Sequence, residues 1–121
     1  MLENPPINNS IHMPAEWEQH EGTWLQWPQD KLYRGYEFKL EKIWLSMVDA
    51  LHQHENVHLI VADERQRDHV VHQLEYHTIG SENVDFHIMP TDDVWARDNG
   101  PIFVVSDDGE VAITDWSFNG W

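Results

Sequence analysis

The chain contains no cysteine. Without a thiol it carries no disulfide framework, no thiolate metal site and no cysteine nucleophile of its own. It is also poor in cations, with 7 Lys+Arg against 22 Asp+Glu and a formal net charge of −15 over 121 residues. A field of that sign repels phosphate and counts against nucleic acid as a partner, while it favours encounter with cationic ligands. Plain solubility accounts for the same charge. No apolar run approaches the roughly 20 residues needed to span a bilayer. Met1 to Ser10 is polar, holds two prolines and lacks the apolar centre of a signal peptide. These absences lead to the expectation of a soluble, cytoplasmic protein with no membrane contact.

A chain of 121 residues is expected to form a single domain, 1–121, that buries roughly two-thirds of its unfolded surface. Residues 1–12 read as a loose leader. Gly22 to Trp27 alternates apolar and polar residues before Pro28, which predicts a short strand. From Tyr36 to about His54 the apolar residues Leu40, Ile43, Trp44, Met47, Val48 and Leu51 fall at helical spacing. Val57 to Ala62 is a β-branched apolar run of strand length between Glu55-Asn56 and Asp63. Asp63 with Gln66 gives a capping-box-like start to a second helix, whose Val70, Val71 and Leu74 face inward as far as Gly80. Val84 to Met89 then predicts another strand. The alternation argues for an α/β layer arrangement with helices packed on a sheet.

Ile102–Val105 and Val111–Thr114 flank Asp107-Asp108-Gly109-Glu110 and predict a hairpin. With Asp108-Gly109 as a two-residue turn, Asp107 opposes Glu110, Val104 opposes Ile113 and Ile102 opposes Asp115. Carried further, that register brings Asn119 beside Asp98.

Chemistry concentrates in Asp92-Asp93-Val94-Trp95-Ala96-Arg97-Asp98-Asn99-Gly100-Pro101, which gathers three carboxylates, an indole and a guanidinium. A carboxylate can grip a planar cation through paired charge-assisted hydrogen bonds while an aromatic face lies against it. Trp95 and Asp98, three apart, are spaced to project from one side of a tight turn, with Asn99-Gly100 tolerant of a left-handed backbone. A plainer reading stands beside this one: Asp98 pairs with Arg97 or caps a turn, and Trp95 is core.

The 9 histidines are scattered. His69 and His72 share a helix face, but no zincin-type motif accompanies them, so His52, His54, His69, His72, His77 and His87 read as ordinary exposed residues and His20 as structural. Trp44 lies on the buried helix stripe. Trp17, Trp24, Trp27, Trp116 and Trp121 are too many for a small core to cover. Tryptophan beside carboxylate also marks sugar-binding surfaces, although no opposed carboxylate pair of the glycosidase kind is evident.

Four motifs in order, Met13-Pro14-Ala15-Glu16-Trp17-Glu18-Gln19-His20-Glu21-Gly22-Thr23-Trp24, Trp27-Pro28, Asp93 to Pro101, and Asp115-Trp116-Ser117-Phe118-Asn119-Gly120-Trp121, closely resemble the N-terminal part of agmatine deiminases. That family includes the bacterial-type peptidylarginine deiminases. The resemblance implies a pentein-like α/β propeller of ββαβ modules around a central site, of which this chain supplies about one module plus a β-hairpin. It implies guanidino hydrolysis through a cysteine-bound intermediate and a histidine-activated water, with no cofactor and no metal. The motifs present lie before the regions holding the family's catalytic histidine and cysteine. Carried over by position, Asp98 matches the catalytic, substrate-binding carboxylate and Trp95 the aromatic wall. Asp93 and Asn119 match further substrate-site positions, and Arg97 a supporting one. The implied partner is a small guanidino cation, agmatine or an arginine side chain.

The expectation is therefore a guanidinium-recognising part of a hydrolase, inactive alone. A non-catalytic cation-binding module and a carbohydrate-binding fragment are the alternatives. A partial propeller is further expected to expose apolar surface, open to self-association or to docking with the remainder of the propeller.

Overall fold

The computed structural model describes residues 10–29 and 34–120. In chain order these form β1 (Ile11–His12), β2 (Gly22–Gln26), α1 (Glu37–Leu51), β3 (Asn56–Val61), α2 (Glu64–Tyr76), β4 (Val84–Ile88), α3 (Ala96–Asn99), β5 (Ile102–Ser106) and β6 (Val111–Thr114). They divide into two compact units. One is His20–Ala96; the other comprises the described parts of Met1–Gln19 and Arg97–Trp121.

In the unit His20–Ala96, β2, β3 and β4 form a parallel sheet in that order. Parallel neighbours require crossovers, and α1 and α2 supply them. The path is therefore β–α–β–α–β. β3 is central and covered on both sides, which accounts for its almost continuous apolar run. Alternate residues Val57, Leu59 and Val61 are fully buried and join Leu45 and Val48 of α1, Val70 and Leu74 of α2, and Trp27 in one core. Both helices thus pack on the same face of the sheet. Trp27 is a core residue, contrary to its place among the surplus tryptophans: its backbone N–H bonds Ile60 O at 2.9 Å and carries β2 pairing one residue past the strand. Gly22 lets β2 approach β3 closely, since a Cβ there would stand 2.5 Å from the Asn56 carbonyl oxygen.

The predicted first helix matches α1, with its ends trimmed to Glu37 and Leu51. Trp44 is half-buried against the core, and its indole Nε1 has no acceptor among the described residues. α2 starts as expected. The Asp63 carboxylate accepts the Gln66 N–H at 2.8 Å, while Gln66 Oε1 accepts from Ala62 N at 2.8 Å and Gln66 Nε2 donates to Pro28 O at 3.1 Å. Asp63→Ala is expected to cost about 1 kcal/mol, read as a lowered midpoint of chemical denaturation with the slope unchanged.

The expected end of this helix, near Gly80, is wrong. α2 stops at Tyr76, where Ile79 N bonds Leu74 O at 2.9 Å and Thr78 N bonds Glu75 O at 3.0 Å. This is a Schellman closure, with Thr78 in the left-handed position at φ 58°. A β-branched residue is strained there. Thr78→Gly is expected to raise stability by about 0.5–1 kcal/mol, the relieved strain exceeding glycine's added chain entropy, and thermal melting checks it.

In the other unit, β1, β5 and β6 form an antiparallel sheet in the order β1-β5-β6. The predicted hairpin is present but carries a third strand: Ile11 and His12, placed in the loose leader, pair with Ser106 and Val105. The predicted register is off by one residue. Ile102 faces Thr114, Phe103 faces Ile113 and Val104 faces Ala112. The cause is a three-residue loop, Asp107-Asp108-Gly109, in which Gly109 N bonds Ser106 O at 2.9 Å, Gly109 takes φ 81°, and Ser106 N bonds Glu110 O at 2.9 Å. A type I turn followed by a left-handed glycine replaces the two-residue turn. A one-residue shift exchanges the faces of every side chain in β6. Phe103 and Ile113, directly opposed, share one face with Val111, and all three are exposed.

Candidate functional site

The segment that carries the predicted site spans the end of one unit and the resumption of the other. Asp93, Val94 and Trp95 close His20–Ala96, and Arg97, Asp98 and Asn119 belong to the second unit. Val94 is the anchor: it is buried, its N–H bonds the Asp93 carboxylate at 2.8 Å, and its carbonyl accepts the Ala96 N–H at 3.0 Å. Asp93 is therefore a half-buried backbone support. With Val94 turned inward, Trp95 is left 51% exposed, which rules out the core reading of this indole.

The expected tight turn is a single helical turn, α3. Neither Asn99 nor Gly100 takes a positive φ, so the left-handed backbone anticipated there is not used. Helical geometry across Ala96–Asn99 separates consecutive side chains by about 100°, and it gives Arg97 and Asp98 different fates. Arg97 forms an ion pair with Glu16, both side chains being largely exposed. Asp98 is exposed, and its side chain makes no hydrogen bond or ion pair among the described residues. The plainer reading, Asp98 satisfied by Arg97, is thereby replaced by a guanidinium committed elsewhere and a carboxylate left open.

Asn119 lies beyond β6 and is exposed. The ladder ends at Ile102 opposite Thr114. The shifted register removes the pairing argument that set Asn119 beside Asp98. Trp116, 73% exposed, donates its indole N–H to Thr114 Oγ1 at 3.1 Å. Trp17 is 89% exposed, and Trp121 lies outside the described residues.

The histidines hold a feature that sequence reading missed. His54, His69, His72 and His77 are exposed as expected, with His69 bonded to Glu41 at 2.6 Å, but His52 and His87 are half-buried. His87 meets His58, its Nε2 lying 3.2 Å from His58 Nδ1, and both rings pack on Trp24 at centroid distances of 4.6 and 4.5 Å. The only trace in the sequence is a polar residue at an alternating position of the β3 run. No group of three histidine or acidic side chains among the described residues is placed to hold a metal.

An exposed, unclaimed carboxylate can accept paired hydrogen bonds from a guanidinium, and an exposed indole can offer a cation its π-face. The chain is similar to several known proteins. The agmatine deiminase of Ectopseudomonas mendocina (strain ymp) is 33% identical over 121 residues, covering 99% of this chain and 31% of that protein. The chain thus spans about a third of the length of such relatives. The agmatine deiminase of Enterococcus faecalis superposes with a TM-score of 0.73 at 28% identity, over 92% of this chain and 29% of that one. The C. jejuni agmatine deiminase, at 24% identity, shares the fold, with a TM-score of 0.78 over 98% of this chain and 35% of that one. The profile of the Porphyromonas-type peptidyl-arginine deiminases matches residues 12–121, and the chain belongs to that family.

Proposed function

We propose that this chain provides the guanidinium-recognising, N-terminal part of an agmatine deiminase-type hydrolase, a cytoplasmic enzyme built as an α/β propeller. The reaction is agmatine plus water to N-carbamoylputrescine plus ammonia. The observation that carries the reading is the open Asp98 carboxylate, left unclaimed because Arg97 is taken by Glu16.

In this reading Asp98 holds the guanidinium by charge-assisted hydrogen bonds, which fixes the plane of the central carbon for attack and keeps the group cationic and electrophilic. Trp95 lies along the guanidinium face and sheds water from it. Asp93 fixes the backbone that presents Trp95, and Asn119 adds a polar contact to the substrate. Arg97, tied to Glu16, holds α3 in place. The chain has no thiol. In this reading the thiol nucleophile and, by the family resemblance, the histidine that activates water come from outside these 121 residues, and the chain alone recognises substrate without turning it over.

Calorimetric titration of the chain with agmatine and with arginine tests this. Saturable binding of agmatine that disappears in Asp98→Ala, with no N-carbamoylputrescine formed, is the expected result. Binding that survives Asp98→Ala removes that residue from the site. Product formed at enzymatic rates would demand a nucleophile of another kind.

A further inference from the structure

The face of the β2-β3-β4 sheet opposite the helices carries a histidine pair whose proton positions follow from its surroundings. His58 Nε2 lies 3.2 Å from Glu21 Oε2. An ionised carboxylate only accepts hydrogen bonds, so His58 Nε2 bears the hydrogen. The Glu21 carboxyl is held below its ordinary range, first by the Asn56 amide, which donates to its Oε1 at 3.1 Å, and then by His58, so it is ionised at neutral pH. Neutral His58 is then unprotonated at Nδ1. His87 Nε2, 3.2 Å away, must be the donor in that contact. The result is a directed chain from His87 through His58 to Glu21.

We propose that His58 and His87 form a one-proton clamp: the pair keeps its contact through uptake of one proton and opens on uptake of the second. With one added proton, a single hydrogen still lies between His58 Nδ1 and His87 Nε2, on either nitrogen, and the bond becomes charge-assisted. With two, both facing nitrogens carry hydrogens and both rings are positive. A separation of 3.2 Å cannot then be kept. Asp85 on β4 supplies the alternative acceptor, its Oδ2 lying 3.8 Å from His58 Nδ1.

Among the described residues, the charged groups facing the pair are Glu21, just before β2, and Asp85 from β4. The next carboxylate, Glu55, accepts from His20 Nε2 at 2.6 Å and Thr23 Oγ1 at 2.9 Å. Trp24 of β2 reports the state of the clamp, because its ring stacks on His58 at an interplanar angle of 20° and packs on His87 at 33°. Opening moves the His87 ring away from Trp24 on this face, while the β3-β4 ladder stays paired.

Long-range proton–nitrogen spectra of the chain, followed from mildly alkaline to mildly acidic pH, test the clamp. Both histidines are expected to show the Nε2–H tautomer at the alkaline end. Ring contacts to Trp24 should be retained while one hydrogen lies between the facing nitrogens and lost when both carry one. His87→Phe, which keeps a ring against Trp24 but removes the facing nitrogen, should retain its Trp24 contacts across the same range. Glu21→Gln, at an exposed side chain, should free His58 from its fixed tautomer. An Nδ1–H tautomer for His58 at the alkaline end overturns the proposal. So do Trp24 contacts that stay unchanged when both facing nitrogens carry hydrogens.

Discussion

Replacing Asp98 with asparagine in a complete deiminase that contains this segment is expected to lower kcat/KM for agmatine by about 3 kcal/mol, roughly 150-fold. Asparagine keeps the shape of the side chain, so the loss isolates charge. Of the two carboxylate oxygens facing the guanidinium, one becomes an amide that presents hydrogens to hydrogens, which costs more than an absent bond. Because the bond holds both bound substrate and transition state, part of the loss appears in KM, and the part that appears in kcat measures positioning of the guanidinium carbon. Asp98→Glu, which restores the charge one methylene further out, should recover part of the activity. Arg97→Ala supplies the contrast. It removes only a pair between exposed side chains, worth about 0–1 kcal/mol. Steady-state kinetics of the three variants at saturating and limiting agmatine provide the measurement, and an Asp98→Asn enzyme within a few-fold of the parent would dismiss the assigned role.

The second large effect lies in the core. Leu59 is fully buried on the helix-facing side of β3, the central strand, within the cluster built from both helices. Leu59→Ala is expected to destabilise the unit His20–Ala96 by about 3–4 kcal/mol, combining lost transfer free energy with a cavity that parallel strands and two helices cannot collapse to fill. That is a large share of the roughly 5–15 kcal/mol by which a domain is ordinarily stable. Denaturant unfolding followed by far-ultraviolet circular dichroism reads it as a lower midpoint. A loss under about 1 kcal/mol would mean that the site relaxes freely and that the core is packed differently.

Much of the parallel unit could be read from the sequence because its determinants are local. The α1 stripe, the β3 run and the Asp63–Gln66 start of α2 each declare themselves within a few residues. The misreadings share one physical cause. The Asp108-Gly109 pair serves a two-residue turn and a three-residue loop alike, and the choice between them falls to Ser106, whose backbone oxygen accepts from Gly109 and whose hydroxyl accepts from the Glu110 N–H at 3.1 Å. β1, two residues long, has no periodicity to detect and exists because β5 offers it an edge. Thr78 ends α2 in a conformation usually left to glycine, since closing the last turn places Ile79 against the core.

The site divides in the same way. Residue type and spacing marked Trp95 and Asp98, and the family resemblance added Asp93 and Asn119. They left open whether Asp98 was spent on Arg97 and whether Trp95 was buried. Glu16, 81 positions away in sequence, decided the first by taking Arg97, and the burial of Val94 decided the second by turning Trp95 outward. The meeting of His58 with His87, 29 positions apart, depends on the register of β3 with β4 and had no local signal at all.

The sequence by itself determined the α/β character of this protein, its acidity, its want of a thiol and its family, because each is fixed by composition or by neighbours along the chain. Only the tertiary structure decided which charges are paired, which rings are open and how the hairpin is registered. Those outcomes depend on competition among partners distant in sequence, and that competition is resolved when the chain packs.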